Sequence, residues 1–284
     1  MSTMEENIII RTLKPDEIEI PVLWALQEGW NPGIHDAGCH YVVDPQGWFC
    51  AEKSGEIIGV VVGVNYDDTF SFGGFYIVKP EYRNHGMGLT LCSRMFEHVG
   101  DRNFGCDGVF DMQDKYIAKI GLKFAYRNIR WQGIGKPGGK TDLITATDVP
   151  FDLLLAYDSL HFPAKRRSFL QKWIRQPEGV SLVKMNSEGF ILGYGVIRRC
   201  FEGYKIGPLF ADTLDVANEI FDALAGTVPG EILFFDTPEP NTEAVRMATE
   251  RGMTEVFGTA RMYSKTFPNL PLHQIFGVTT FELG

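Results

Sequence analysis

The residues best placed to do chemistry together are Arg83, Gly86 and Gly88, in the run Val78-Lys79-Pro80-Glu81-Tyr82-Arg83-Asn84-His85-Gly86-Met87-Gly88. An apolar stretch precedes this run, and Leu91, Cys92, Met95, Phe96 and Val99 follow it at helical spacing. The order strand, glycine loop, helix offers free backbone N–H groups to an anion, with the positive end of a helix dipole behind them. Gly86 and Gly88 let the backbone come close where a Cβ would collide, and Arg83 can add charge-assisted hydrogen bonds. Alone, R-x-x-G-x-G reads better as a tight strand-to-helix turn, so its context has to decide. A dinucleotide site would need G-x-G-x-x-G after the first strand of a βαβ unit and an acidic residue about 20 positions later. The sequence meets neither condition.

Stepping outward, Ile8-Ile9-Ile10 predicts a short strand, and helices are expected over Pro15 to Gly29 and around His35 to Val43. Strands Trp48–Glu52, Ile57–Asn65 and Phe70–Val78, separated by turns at Ser54-Gly55 and Asp67-Asp68, predict an antiparallel meander leading into the loop. After the loop helix come a strand Gly108–Met112, a short helix Lys115–Ile120 ended by Gly121, and a strand Lys123–Ile134. Pro137-Gly138-Gly139 reads as a linker.

Beyond it the same order returns. Helices are expected at Asp152–Leu160 and Ala164–Arg175, strands at Val180–Met185, Phe190–Arg199 and Tyr204–Phe210, then helix Asp215–Ala225, strand Glu231–Phe235, helix Thr242–Arg251 and strand Val256–Ser264. Gly59 and Gly193, Gly74 and Gly207, and Gly121 and Gly252 occupy matching points 134, 133 and 131 residues apart, which indicates a tandem duplication. One glycine loop has been lost. The second copy reads Ala211-Asp212-Thr213-Leu214-Asp215 there, and its two carboxylates would repel a phosphate.

The chain of 284 residues carries a formal charge of −9 and is 44% apolar and 22% charged, a globular composition long enough for two domains. The acidic balance argues against nucleic acid as a partner, because such affinity rests on Lys and Arg neutralising phosphates. Cys39, Cys50, Cys92, Cys106 and Cys200 form no C-x-x-C pair, so no metal site is expected, and the odd count fits a reducing compartment. The longest apolar stretch, Ile57 to Val64, is too short for a membrane span, and the start lacks a signal-peptide pattern. A cytoplasmic protein is expected. Whether it pairs as a homodimer is left open.

The segment Val78-x-Pro80-x-Tyr82-Arg83-x-x-Gly86-x-Gly88, with its preceding meander and the ending Lys119-Ile120-Gly121-Leu122, resembles the acyl-CoA-binding motif of the GNAT N-acetyltransferases. The second half resembles the degenerate domain of YitH-like tandem GNAT proteins through Phe162-Pro163-Ala164-x-Arg166, Ile206 to Asp212, Arg261-Met262-Tyr263 and Phe281-Glu282-Leu283-Gly284. The resemblance implies an α/β (α+β) chain of two tandem GNAT folds, each a mixed, mostly antiparallel sheet flanked by helices. Residues 1–136 would form the N-terminal acetyltransferase domain and 137–284 a C-terminal domain without CoA. Ile77, Val78, Arg83, Asn84, His85, Gly86, Met87 and Gly88 would bind acetyl-CoA, with the Val78 N–H facing the thioester carbonyl.

The activity implied is transfer of an acetyl group to a primary amine by direct attack, which calls for a base, an oxyanion donor and an acid for the thiolate. The family often places its acid four residues before the glycine of the K-x-G-F ending. Ile117 holds that position here and Tyr116 lies beside it, about 100° away on a regular helix. Tyr116 is the candidate acid and Tyr126 a weaker one. The strand Thr69–Val78 carries no carboxylate, so base candidates lie elsewhere: Asp111 at the end of the next strand, and His35, Asp36 and His40 on the second helix. Trp30 stands apart from the aromatics of the core as a loop indole that could meet a ligand or the second domain. A non-catalytic acyl-CoA sensor is the alternative, prompted by the displaced Tyr and the missing strand carboxylate.

Overall fold

The computed structural model describes residues 8–110, 113–139 and 141–284, and for residues 114–116 and 119 the backbone alone. The first half runs β1 (Ile8–Thr12), α1 (Glu19–Gln27), α2 (Asp36–Tyr41), β2 (Trp48–Lys53), β3 (Glu56–Asn65), β4 (Phe70–Val78), α3 (Met87–Val99), β5 (Asn103–Val109), α4 (Gln113–Ile120) and β6 (Lys123–Ile134). The second half runs β7 (Ile144–Thr145), α5 (Phe151–Asp158), α6 (Arg167–Trp173), β8 (Val180–Met185), β9 (Ile191–Arg199), β10 (Tyr204–Ala211), α7 (Leu214–Ala225), β11 (Ile232–Pro238), α8 (Thr242–Glu250), β12 (Thr254–Tyr263) and β13 (Ile275–Gly277). This is the tandem, mixed and mostly antiparallel α/β architecture that the resemblance implied. No described helix is long and apolar enough to cross a membrane.

Several boundaries moved for physical reasons. Helix α1 starts at Glu19 rather than Pro15, which keeps Pro21 within its first turn, where a missing N–H costs nothing. Strand β5 begins at Asn103, well before the expected Gly108. Its Asn, Asp and two glycines have weak β propensity, but Phe104 is buried beneath α3 and Gly105 gives room to the Phe72 and Tyr263 rings, so packing overrides propensity. Strands β7 and β13 were not expected at all.

Among the described residues the strands form one sheet in the order β1-β2-β3-β4-β5-β12-β6-β11-β10-β9-β8-β7, with β13 set against β10. The halves exchange strands: β12 lies between β5 and β6, and β6 pairs in turn with β11. The same clamp marks both crossings. Arg130 of β6 grips Asp236 of β11 at 2.8 and 2.7 Å, and Arg261 of β12 grips Asp107 of β5 at 2.8 and 2.7 Å. These buried bidentate pairs have their main value in fixing which strand goes where, since desolvation offsets much of their attraction.

Candidate active site

Strands β4 and β5 are parallel and paired from Phe70–Asn103 to Gly73–Cys106, and no further. Past that point β4 bulges against β3, with Phe75 at φ +47°, and the two strands part. A cavity of about 390 Å³ fills the gap. Its walls are Gly73 to Val78 of β4, Cys106 to Val109 of β5, Cys92, Met95 and Phe96 of α3, and Arg130, Phe257, Thr259, Phe281 and Glu282 from the strands and tail beyond.

Of the residues expected to hold a cosubstrate, Ile77, Val78, Arg83, Asn84 and Gly88 line the cavity, whereas His85, Gly86 and Met87 do not. Gly86 caps α3 at φ +82°, where a Cβ would meet nothing within 4 Å, and no side chain caps the helix. Its leading N–H groups are therefore left to an outside acceptor. Gly88 has a different reason: a Cβ there would lie 1.9 Å from the Tyr76 hydroxyl. The Arg83 Nε donates to the Val78 carbonyl at 2.7 Å and its Nη2 bridges Glu28 at 2.6 Å, so the guanidinium also ties the loop to the end of α1.

The expected acid–base groups fare unevenly. Asp111 lies outside the described residues, and so does the side chain of Tyr116, whose backbone belongs to α4. His35, Asp36, His40 and Tyr126 do not line the cavity. Asp36 accepts from the Gly33 N–H and from Arg198 at 2.9 Å, joining the halves. His40 is buried against Phe169 and Trp173, and burial pushes its pKa down to about 3. Trp30 does line the cavity, beside Glu28.

Three carboxylates in the wall had not been singled out as site residues: Glu28, which Arg83 holds, Asp107 and Glu282. Asp107 is pushed up by burial, opposed by Arg261, and its oxygens are engaged by Arg261 and by Asn128 at 2.8 Å. Glu282 is 5% exposed, and its Oε2 is buried with no hydrogen-bond partner among the described residues. Its segment, Phe281-Glu282-Leu283-Gly284, carried the resemblance of the second half but gave it no site role. The signal that could have found it is the pairing of Gly74 with the tail, because a Cβ on Gly74 would lie 1.8 Å from the Glu282 carbonyl oxygen.

The sequence profile of the Acetyltransferase (GNAT) family matches residues 15–115, and that of an Acetyltransferase (GNAT) domain matches residues 154–277. A holothin acyltransferase from Pseudoalteromonas sp. (strain SANK 73390) is 30% identical over 282 residues, covering 96% of this chain and 94% of that protein. The chain belongs to the GNAT acetyltransferase family. As a GNAT protein it is an acyltransferase drawing on an acyl-CoA. A putative acetyltransferase from Pyrococcus horikoshii superposes with a TM-score of 0.83 at 21% identity, covering 100% of this chain and 98% of that one. A tandem GNAT protein from the clavulanic acid biosynthesis pathway superposes with a TM-score of 0.65 at 14% identity, covering 90% and 98%. At these identities the two structures speak for the shared tandem fold alone.

Proposed function

We propose that this GNAT protein transfers an acetyl group from acetyl-CoA to a primary amine of a small molecule by direct attack on the thioester. The observation that carries the reading is the open splay beside a helix start without a side-chain cap, a cradle for a pantetheine arm and its pyrophosphate. Arg83, Asn84 and the backbone from His85 to Gly88 take the pyrophosphate, and the end of β4 at Ile77 and Val78 faces the thioester. Tyr116 is the proposed acid for the departing thiolate. Asp111, which follows β5, is one choice of base. The likeness to a holothin acyltransferase supports a small-molecule acceptor over a protein. We divide the chain into a catalytic half, 1–136, and a second half, 137–284, that completes its cleft.

An acetyl-CoA consumption screen over small amines, amino acids and peptides tests this, with thiol release as the readout. Turnover with at least one amine is expected. Tight acetyl-CoA binding with no amine turned over would overturn catalysis in favour of a sensor.

A further inference from the structure

The geometry points to Glu282, on the tail that follows β13, as the carboxylate that receives the acceptor's ammonium and takes its proton. This rests on the acyl-CoA reading of the cavity. Three observations converge on it. Glu282 lines the cavity together with its neighbour Phe281. Its Oε2 is buried with no hydrogen-bond partner among the described residues, so its capacity to accept is open. The tail is pressed onto the bulged part of β4, with the Glu282 carbonyl against Gly74, so tail and strand share one wall of the cavity.

A structural counter-ion is the competing explanation, since Arg130, Arg198, Lys205 and Asp107 are electrostatic neighbours of Glu282. Each of those four has a closer partner. Arg130 takes both oxygens of Asp236, Arg198 takes Asp36, Lys205 donates to the Asn31 carbonyl at 3.0 Å, and Asp107 is held by Arg261. None of them hydrogen-bonds the Glu282 side chain, which belongs to the cavity wall. The strand β4 carries no carboxylate, and the wall carboxylates of the first half, Glu28 and Asp107, are already paired with Arg83 and with Arg261.

In the reaction one N–H proton of the ammonium passes to Glu282, and the freed lone pair forms the N–C bond while the C=O π pair moves onto oxygen. Collapse of the adduct breaks the C–S bond. A second N–H proton goes to the thiolate, giving amide and CoA thiol, and Glu282 returns its proton to water. Acceptor in the ammonium form and acetyl thioester thus yield amide, thiol and one proton.

The test compares S-(2-aminoethyl)-CoA with its neutral isostere S-propyl-CoA by calorimetry on the full-length protein and on Glu282→Gln. The wild type should prefer the ammonium analogue by about 10-fold, the scale of one close charge pair, and Glu282→Gln should lose that preference while binding S-propyl-CoA as before. Equal preference in both proteins, or an equal loss for both analogues in the variant, overturns the assignment. If the wild type binds neither thioether, the acyl-CoA reading itself fails and this inference falls with it. For any acceptor found in the amine screen, Glu282→Gln should lower kcat by about 100-fold or more with the KM for acetyl-CoA unchanged, the range for general base catalysis. An unchanged kcat would count against it.

Discussion

The two places where a parallel strand pair comes apart are built from the same parts and finish differently. Between β4 and β5 pairing ends at Gly73–Cys106 and a cavity opens. Between β10 and β11 it ends at Ile206–Phe235, and β13 enters the gap, pairing with β10 at Leu209 and Phe210, while the Val278 N–H donates to the Asp236 carbonyl of β11 at 2.9 Å. The following helices differ too. No side chain caps α3, whereas the Thr213 hydroxyl caps α7 by accepting from the Val216 N–H at 3.3 Å, between Asp212 and Asp215. Two local changes set the second splay apart, a wedge filled with the protein's own backbone and a helix start that satisfies itself. The filling segment then runs on to wall the open cavity at Phe281 and Glu282, so closure of one splay completes the other.

The comparison would break first at Gly86. A carboxylate and a Cβ in Gly86→Asp should abolish acyl-CoA binding, because the left-handed φ is strained for any side chain and the charge faces the pyrophosphate. The wild type should bind acetyl-CoA at one site per chain. A calorimetric titration that finds two equivalent sites, or a folded Gly86→Asp protein with wild-type affinity, would show that the two splays do not differ as described.

Emptying the filled wedge sharpens the same contrast. Phe276 of β13 is buried in the core that β10, β11 and α7 share. Phe276→Ala should cost about 3–5 kcal/mol in denaturant unfolding, the usual loss for a buried Phe. The stoichiometry for acetyl-CoA should stay at one, since Asp212 and the Thr213 cap still deny the second helix to a phosphate. Appearance of a second site in this variant would mean that β13 alone keeps the ligand out.

How much of this was legible beforehand follows from which interactions are local. The meander, the loop helix and the duplication are written in short-range periodicity and glycine spacing, and β4, β6 and β8 occur over the very residues expected. What sequence could not give was contact at long range. The insertion of β12 between β5 and β6 joins residues such as Asp107 and Arg261, and no local pattern signals it. Glu282 was hidden for the same reason, being a carboxylate in a tail whose neighbour Gly74 is more than 200 positions away. Asp36 and His40 looked like site residues because their types suit acid–base work, but they serve the seam between the halves.

A smaller effect is expected at Tyr116. If it protonates the thiolate, Tyr116→Phe should lower kcat by about 10- to 1000-fold with the Kd for acetyl-CoA nearly unchanged, because the acid acts in the transition state. A regular α4 would turn Ile117 toward the sulfur instead. Single-turnover rates within twofold of wild type would then remove Tyr116 from the site and leave the thiolate to depart unaided, as a thiol with a pKa of about 8.5 can.

A last effect concerns the seam that holds the tail beside the open cavity. The Tyr66 hydroxyl donates to the Leu283 carbonyl at 2.8 Å, so the His40 Nδ1, 3.1 Å from the same oxygen, must carry a proton and donate to it. That fixes the neutral tautomer and leaves Nε2 buried with no partner among the described residues. A second proton would have nothing to bond to, and burial holds the pKa down to about 3 against 6.5 for a free imidazole. Below pH 6.5 the unfolded chain takes up this proton and the folded one does not. Stability is therefore complete above that pH and falls by on the order of 1.4 kcal/mol per pH unit toward pH 3, where the folded form titrates too. Carboxylates such as Glu17, held down to about 2 chiefly by its hydrogen bond to Arg11, add a loss of the same sign at lower pH. The difference between wild type and His40→Gln isolates the imidazole: the variant should show a shallower decline between pH 6 and 4. Parallel stability curves would mean that the His40 ring already holds its charge in the fold, and that the chain from His40 through Tyr66 to Leu283 is not what anchors the tail.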